Sequence, residues 1–302
     1  MSRLLPAHLA CLATILLWGL TFISTKLCLQ SMTPMQILLS RFVIGYLGLW
    51  ALGPRWLPFC GWSREGLLAL AGLCGICLYY MLENIALEHT WASNVGIITS
   101  VAPLFTGLFA AIFMPEERPA LNFYVGVVMA AVGVACVSLN GSQLHIKPLG
   151  DLLALAAAAI WAIYSLLLKK IGLWGHDAIL VTRRIFAYGL LWILVCLPWQ
   201  PVFPLWAHLS VALPHLLFLG MGASALCFVG WSYSVRILGA VKASVYIYLV
   251  PLVTVTAAAI VLGERLSPVA VAGMALTIAG LIVSGLSPKR GGQRRCRGRL
   301  KI

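Results

Sequence analysis

Charged residues are scarce in this sequence. Only 10% of its 302 residues are Asp, Glu, Lys or Arg, and just 8 are acidic, whereas a soluble domain carries about 25% charged residues. Hydrophobic residues make up 62%, and the mean hydropathy is +0.99. So large an apolar surplus cannot be hidden in a soluble core, because a folded chain must still cover its surface. The composition therefore excludes a soluble protein and predicts one that resides in a lipid bilayer.

Several catalytic signatures are also missing. The histidines are scattered, and no grouping of His, Asp and Glu recurs at ligand spacing. Cys74 and Cys77 in "CGIC" have the spacing of zinc ligands, but no second pair accompanies them. A glycine-rich phosphate loop is absent as well. We therefore expect no metal, no cofactor and no catalytic residues, and both a membrane enzyme and ATP-driven transport are disfavoured.

What the sequence does contain is a series of apolar runs of about 20 residues, the length of helix that crosses roughly 30 Å of hydrocarbon. Proline, glycine and charged residues separate these runs. They predict an all-α integral membrane protein with ten transmembrane helices, at residues 8–29, 34–52, 66–87, 93–114, 121–140, 149–168, 178–197, 211–234, 241–262 and 267–286.

Basic residues are unevenly shared between the connections. With the N-terminus inside, seventeen Lys and Arg fall on the inner side and four on the outer side, which predicts that both termini are cytoplasmic. The net charge of +13 is then a matter of topology, and we expect no nucleic-acid partner. The basic cytoplasmic tail, 287–302, is predicted to lie against anionic lipid headgroups. A regulatory or partner-binding tail is the alternative.

The chain also repeats itself. "VAPLFTGLFAAIFMPEE" returns as "LVPLVTVTAAAIVLGER", and a shift of 148 residues places Pro103 on Pro251. A shift of 143 places Trp18 on Trp161. The predicted helices one to five therefore resemble helices six to ten, in order.

Five is an odd number, so the second copy starts on the opposite side of the membrane from the first. The sequence predicts two inverted-topology five-helix repeats, 8–140 and 149–286. Such repeats are typical of secondary transporters, in which two similar halves open a central site alternately to either side. A passive facilitator or channel remains the alternative.

Three segments resemble a known family: "LLWGLTFISTK", "NIALEHTWASNVGIITSVAPLFTGLFAAIFMPEE" and "VKASVYIYLVPLVTVTAAAIVLGERLSP". They are similar to the EamA family of the drug/metabolite transporter superfamily, and the resemblance covers essentially residues 8–286. It implies a ten-helix bundle with a central cavity that exports amino acids or other small metabolites. It also implies a location in the bacterial cytoplasmic membrane.

Aromatic residues inside the spans are the candidates for the cavity wall. Trp18 and Trp161 stand out, because they occupy corresponding positions in the first helix of each half. An aromatic cavity with a few polar points suits zwitterionic or aromatic small molecules; packing in the core or against lipid is the alternative for each residue. The predicted substrate-cavity residues are Trp18, Phe22, Tyr80, Asn84, Trp161, Tyr164, Trp231 and Tyr246, with Asn94, Thr99 and Ser244 as further polar points.

Three charged residues, Lys26, Arg41 and Glu83, are predicted toward the outer side of the first three helices. Charges within a membrane span usually pair with one another or mark a proton or substrate path. We therefore expect either an ion pair that ties these helices together or a proton-sensitive gate. Glu83 is the best candidate for proton coupling, and its counterpart in the second half is Trp231.

The repeated prolines, Pro103 and Pro251, are the candidate hinges. A proline inside a helix removes a backbone hydrogen bond and bends the helix, and in lipid the freed carbonyl must face protein or a wet cavity. Both prolines are therefore predicted to face the interior, either as pivots or as static kinks. The repeated glutamates Glu116 and Glu264 are predicted to be anchors at the membrane interface.

Small residues recur in the fifth and tenth spans. Their spacing permits close helix contact, either within the bundle or across a homodimer. A small-molecule substrate, membrane lipids and a second copy of the chain are thus the expected partners. The small residues are Gly126, Ala130 and Gly133 in the fifth span, and Gly273, Thr277 and Gly280 in the tenth.

Overall fold

A computed structural model of the chain describes residues 4–90, 92–138, 147–196, 209–262 and 267–286. Glu264 and the basic tail 287–302 lie outside these described residues. Within them the fold is all-α, and no strand occurs. The helices are α1 (Leu4–Cys28), α2 (Pro34–Leu52), α3 (Trp62–His89), α4 (Ala92–Thr99), α5 (Ala102–Phe113), α6 (Leu121–Ser138), α7 (Pro148–Gly172), α8 (Ala178–Cys196), α9 (Leu209–Leu217, continuing through Phe218–Leu226 into Cys227–Leu238), α10 (Ala240–Ser244), α11 (Leu249–Leu262) and α12 (Pro268–Gly285).

Seven helices of the described chain are long and apolar enough to cross a bilayer: α1, α2, α3, α7, α8, α9 and α12. The other apolar helices are shorter. Large apolar side chains face outward, such as Leu121, 78% exposed, and Phe113, 73% exposed, and hydrocarbon is the solvent that such a surface requires. The prediction of an all-α membrane protein is confirmed. The count of ten spans stays a prediction.

Local sequence signals define several helix boundaries. Thr33 and Gln36 form a reciprocal capping box at the start of α2: the Thr33 hydroxyl accepts from the Gln36 N–H, and the Gln36 amide oxygen accepts from the Thr33 N–H. Ser267 caps α12 by accepting the N–H of Ala270 at 3.1 Å. Gly239, with φ of 91°, ends α9 and begins α10, and this left-handed conformation favours glycine.

The fourth and ninth predicted spans are interrupted helices. α4 ends at Thr99 and α5 begins at Ala102, and a 3₁₀ turn, Val245–Tyr248, separates α10 from α11. Pro103 and Pro251 lie in the first turn of the helix that follows each break, and both are buried. For Pro103 this corrects the expected kink, because a proline in a first turn removes no helical hydrogen bond. Pro251 instead follows a 3₁₀ turn within a helical run that continues from Ala240 to Thr254. The breaks lie just before the prolines, and a pivoting role stays a prediction.

Two long helices contain π-helical stretches that the sequence does not signal: Leu73–Leu78 in α3 and Phe218–Leu226 in α9. Glycines pack backbone to backbone beside both. A Cβ on Gly72 would lie 2.7 Å from the N atom of Gly189 in α8, and a Cβ on Gly45 in α2 would lie 3.0 Å from the carbonyl oxygen of Gly220. The widened turns therefore coincide with the closest contacts of α3 with α8 and of α9 with α2.

The repeated small residues bring α6 and α12 together. A Cβ on Gly280 would lie 2.6 Å from the carbonyl oxygen of Gly126, and a Cβ on Gly273 would lie 2.6 Å from that of Gly133. The later residue of one helix meets the earlier residue of the other, so the two helices run antiparallel. These glycines are therefore used for packing within one chain. A homodimer would need a different surface.

The start of α1 and the end of α12 lie at the same end of the bundle, here called the termini face. The Ala7 carbonyl at the start of α1 accepts a hydrogen bond from Ser234 near the end of α9. Asn122, at the start of α6, donates to the Val283 carbonyl near the end of α12 at 3.5 Å. Gly239 follows α9 and packs on Glu117, which precedes α6. The end of α9 and the start of α6 therefore lie together, so both hydrogen-bonded pairs are at one end of the bundle.

Candidate functional site

A cavity of about 50 Å³ lies in the middle of the bundle, displaced away from the termini face. This volume holds about four water molecules, so the pocket is small. Both halves of the chain form its wall, from helices α1, α3, α4, α5, α7 and α11 and the turn before α11. The lining residues are Trp18, Thr21, Tyr79, Tyr80, Glu83, Gly96, Thr99, Ser100, Ala102, Trp161, Ile247 and Val250.

Four aromatic rings form one side of this cavity. The Trp18 and Trp161 rings meet edge to face with centroids 5.2 Å apart. Tyr79 lies 4.8 Å from Trp161 and 4.8 Å from Tyr80. The Trp18 indole N–H donates to the Ala223 carbonyl at 2.9 Å, which fixes the ring. The two tryptophans that correspond in the repeat therefore touch each other at the seam of the two halves.

Glu83 is the only charged residue among the described residues that line the cavity. It is 7% exposed, and its Oε1 accepts a hydrogen bond from the Tyr79 hydroxyl at 3.1 Å. Because Tyr79 lies one helical turn before Glu83, α3 places both side chains on the same face. The carboxylate is thus held toward the cavity by a residue of its own helix.

The expected cluster of Lys26, Arg41 and Glu83 forms only in part, because Arg41 and Glu83 interact electrostatically without forming an ion pair. Arg41 is buried, its Nε donates to the Ser224 hydroxyl at 3.1 Å, and its guanidinium lies 4.2 Å from the Tyr80 ring centroid. Lys26 is exposed. None of the three makes an ion pair with a described residue, which corrects the expected ion pair. Arg41 is stabilised by ring contact and a hydroxyl acceptor, a combination that polar spacing along a sequence does not reveal.

Several other predicted residues lie away from the cavity. Trp231 and Tyr164 are buried against the aromatic cluster behind Trp161. Asn84 is fully buried, and its Nδ2 donates to the Pro34 carbonyl at 3.2 Å. The Tyr246 hydroxyl bonds to His8 Nδ1 at 2.7 Å. These placements correct the expectation that they line the cavity. Ser244 is bonded within its own helix, whereas the side chains of Phe22 and Asn94 lie outside the described residues.

Sequence reasoning missed Thr21, Tyr79 and Ser100, although it named Thr99. The missed residues carried usable signals. Thr21 follows Trp18 by three residues, and Tyr79 precedes Glu83 by four, so each shares a helical face with a residue that was singled out. Ser100 falls at the break before Pro103, where backbone leaves the helix.

At the termini face, a partly buried ion pair joins α7 to the turn after α5. Lys169 Nζ in α7 lies 3.3 Å from Oε1 of Glu117, the last residue of a 3₁₀ turn after α5, and the two side chains are 16% and 13% exposed. Lys169 also donates to the Arg236 carbonyl at 3.4 Å. A Cβ on Gly239 would lie 2.5 Å from Glu117 Oε2, so a larger residue there would displace the carboxylate, and its positive φ favours glycine. This cluster joins the two halves.

At the opposite end of α7, a second polar contact joins it to the end of α3. The Thr90 hydroxyl donates to Asp151 Oδ1 at 2.9 Å, and Gly150 packs directly on Thr90. Asp151 and Lys169 are 18 positions apart, which is about 27 Å along a helix. One helix of the second half is therefore tied to the first half at both ends.

The basic residues at the start of α8 are engaged in protein contacts. Arg184 forms an ion pair with the buried Glu65 at 3.1 Å, and the Tyr188 hydroxyl donates to the same carboxylate at 2.7 Å. Arg183 donates to the Gly53 carbonyl and stacks 3.8 Å over the Trp50 ring. These contacts fasten the connection between α2 and α3 to α8.

Comparison with known proteins supports the fold and the class. A solved crystal structure superposes with a TM-score of 0.75 at 22% sequence identity, covering 93% of this chain and 98% of that chain; this likeness concerns the fold alone. An uncharacterised transporter from Archaeoglobus fulgidus is 26% identical over 282 residues, 92% of this chain and 96% of its own. A probable terminal-alkyne amino-acid exporter from Streptantibioticus cattleyicolor is 27% identical, over 93% of this chain and 94% of its own.

The sequence profile of the EamA-like transporter family matches residues 5–139 and again residues 148–286. The two matches together cover nearly the whole described chain. Each half of the chain matches the same family model, and the two halves form a helical membrane bundle around a cavity. Both findings agree with the resemblance to the EamA family noted in the sequence. The chain belongs to the EamA-like transporter family and is a membrane transporter.

Proposed function

We propose that the protein is a secondary transporter that exports small metabolites or amino-acid-like compounds by alternating access between two inverted repeats. The cavity between the two halves carries this proposal. Irregular helices border it in corresponding positions of both halves: α4–α5 has a break before Ala102, and α10–α11 has the 3₁₀ turn Val245–Tyr248. Discontinuous helices in corresponding positions mark substrate sites in inverted-repeat carriers. The antiparallel packing of α6 against α12 and the common face of the two chain ends support the inverted arrangement.

The polar contacts at the two ends of α7 suit the two gates of such a cycle. In the present arrangement both Lys169–Glu117 and Thr90–Asp151 are formed, and the cavity between them is small. Opening toward the termini face requires the ion pair to separate, and opening toward the other face requires the Thr90 contact to separate. With both termini in the cytoplasm of a bacterial cell, the ion pair is the inner gate.

Glu83 is the residue proposed to couple transport to protons. It is the charged group of the cavity wall, and the charged and titratable groups around it are Tyr79, Tyr80 and Arg41. A buried carboxyl group that faces a cavity is the kind of side chain that carries protons in pumps and transporters. Protonation of Glu83 would remove the negative charge from the cavity, so substrate and proton could influence each other there.

Flux measurements test this proposal. A strain that overexpresses the protein is first challenged with toxic amino-acid analogues, and the compound to which it gains resistance is labelled for use in proteoliposomes. We expect a pH gradient to drive accumulation against the substrate gradient. Glu83→Gln should abolish that accumulation, whereas Glu88→Gln, at an exposed carboxylate of the same helix, should not. Flux that only equalises concentrations would identify a passive facilitator and contradict the proposal.

Orientation is tested separately. Membrane-impermeant labels applied to intact cells should reach neither chain end, and both should react after the cells are opened. Labels that reach one end only would place the two ends on different sides. That result would contradict the inverted arrangement of two five-helix halves.

A further inference from the structure

We propose that the cavity recognises an organic ammonium group, bound by the Glu83 carboxylate within a box of aromatic rings, and that the substrate needs no carboxylate of its own. The inference rests on the proposed function in that it names the chemistry of the same site. It goes beyond it because simple amines, and not only amino-acid-like compounds, become substrates.

The charge of the cavity favours a cation. The Glu83 side chain is more than nine-tenths buried, and Oε1 accepts one hydrogen bond, from Tyr79. Its other oxygen, Oε2, has no hydrogen-bond partner among the described residues, and no described cation lies within ion-pair distance of the carboxylate. Arg41, the described cation that acts electrostatically on Glu83, is held by Ser224 and the Tyr80 ring and makes no ion pair with the carboxylate. An ammonium group offers both the positive charge and the N–H donors that the free oxygen lacks.

The rings favour the same ligand. Trp18, Trp161, Tyr79 and Tyr80 all line the cavity, and their pairs lie edge to face or tilted. Faces of such rings attract a cation within about 6 Å of the ring centroid. One of them already contacts a cation, because the Arg41 guanidinium lies 4.2 Å from the Tyr80 centroid. A carboxylate and four aromatic rings around one cavity are the components of a site for an ammonium group.

Among the described residues, the rest of the wall offers no positively charged group for an anion. Its polar side chains are hydroxyls, those of Thr21, Thr99 and Ser100, and the Thr99 hydroxyl already donates to the Val95 carbonyl at 2.7 Å. Arg41 is not among the lining residues. A substrate carboxylate would therefore lose its water without gaining a positive partner, which is unfavourable in a buried site. The present volume of about 50 Å³ admits an ammonium head group, while a larger body requires the gates to open.

Three compounds with the same ring separate these charges: phenethylamine carries only an ammonium group, phenylalanine carries both groups, and 3-phenylpropionate carries only a carboxylate. Their binding to the purified full-length protein in detergent is measured by calorimetry. We expect phenethylamine to bind, phenylalanine to bind more weakly and 3-phenylpropionate not to bind. Glu83→Gln should weaken phenethylamine binding at least about tenfold, whereas Glu83→Asp, which keeps the charge, and Glu88→Gln should retain most of it.

Each contrary outcome overturns the inference. These outcomes are no phenethylamine binding at millimolar concentration, tighter binding of 3-phenylpropionate, and unchanged phenethylamine affinity in a folded Glu83→Gln variant. Circular dichroism and gel filtration check that the Glu83→Gln variant folds. If that variant does not fold, phenethylamine binding is judged from the Glu83→Asp variant instead. Transport is judged independently. Amine binding without flux in proteoliposomes would refute the proposed transport alone. Flux of another compound with normal kinetics in Glu83→Gln would refute the ammonium site and the coupling role of Glu83, and would leave transport itself standing.

Discussion

Reversing the charges of the ion pair at the termini face is the perturbation that most directly tests how the bundle closes. Lys169 and Glu117 lie 3.3 Å apart and are mostly buried, and Gly239 packs on the carboxylate. Lys169→Glu or Glu117→Lys alone places two like charges in this space. The double variant, Lys169→Glu with Glu117→Lys, restores an attractive pair. Lys170→Glu and Glu116→Lys are matched controls, because both of these neighbours are exposed.

The magnitude follows from the distance. Two unit charges 3.3 Å apart interact by about 5 kcal/mol at an effective dielectric constant of 20. Desolvation offsets part of this gain, and side-chain movement relieves part of the repulsion in a variant. We therefore expect each single reversal to cost about 2 kcal/mol, and the double-mutant cycle to show a coupling of about 1–3 kcal/mol. A change of 2 kcal/mol alters an equilibrium about 30-fold.

The readout is the accessibility of a native cysteine. Cys11 in α1 is fully buried, and its Sγ contacts the Ala243 carbonyl in α10 at 3.9 Å, beside the corner that Gly239 forms. Residue-resolved alkylation by mass spectrometry should show Cys11 reacting about tenfold or more faster in either single variant. Cys60, which is already partly exposed, serves as an internal reference. Equal Cys11 protection in the wild type and both single variants, or a double variant no better protected than the singles, would refute the reasoning.

Two further predictions concern packing and the cavity. Gly280→Ala should destabilise the detergent-solubilised protein by about 1–3 kcal/mol, because its Cβ would lie 2.5 Å from a backbone nitrogen of α6. Gly285→Ala in the same helix meets open space and should be neutral; equal denaturation midpoints for both would contradict the close contact. Replacing both Trp18 and Trp161 with alanine should reduce flux at least about tenfold while membrane insertion stays intact, whereas both phenylalanine variants together should keep most of the flux. Normal flux in the double alanine variant would remove these rings from the substrate path.

The membrane class and the boundaries of most spans could be predicted, since both depend on the length and composition of apolar runs. The predicted span 34–52 matches α2, Pro34–Leu52, because a Thr-Pro start signal and the following Gly53 mark its ends. The breaks in the fourth and ninth spans were located by their prolines but given the wrong form. A proline pattern indicates disruption, but it does not distinguish a bent helix from a new helix that begins at the proline.

The cavity was predicted less completely, because helices that are apolar all round give little indication of which face is inside. Trp18 and Trp161 could be found since the repeat singled them out. Trp231 was named only as an aromatic residue inside a span, and it packs behind them in the core. Asn84 illustrates the other gap: a polar residue in a span needs a partner, but the sequence does not say whether that partner is a substrate or, as here, the Pro34 carbonyl.

The repeat explains why the chemistry of the cavity is nevertheless one-sided. Glu83 and its counterpart Trp231 occupy corresponding positions, but Glu83 faces the cavity and Trp231 is fully buried among the rings behind it. Two identical halves would bring two carboxylates toward one small pocket, and like charges held close together disfavour their common ionisation. A single carboxylate with an aromatic ring in the second position avoids this repulsion. The loss of symmetry at this one position therefore leaves one negative charge in the cavity, which is the charge that a lone ammonium group requires.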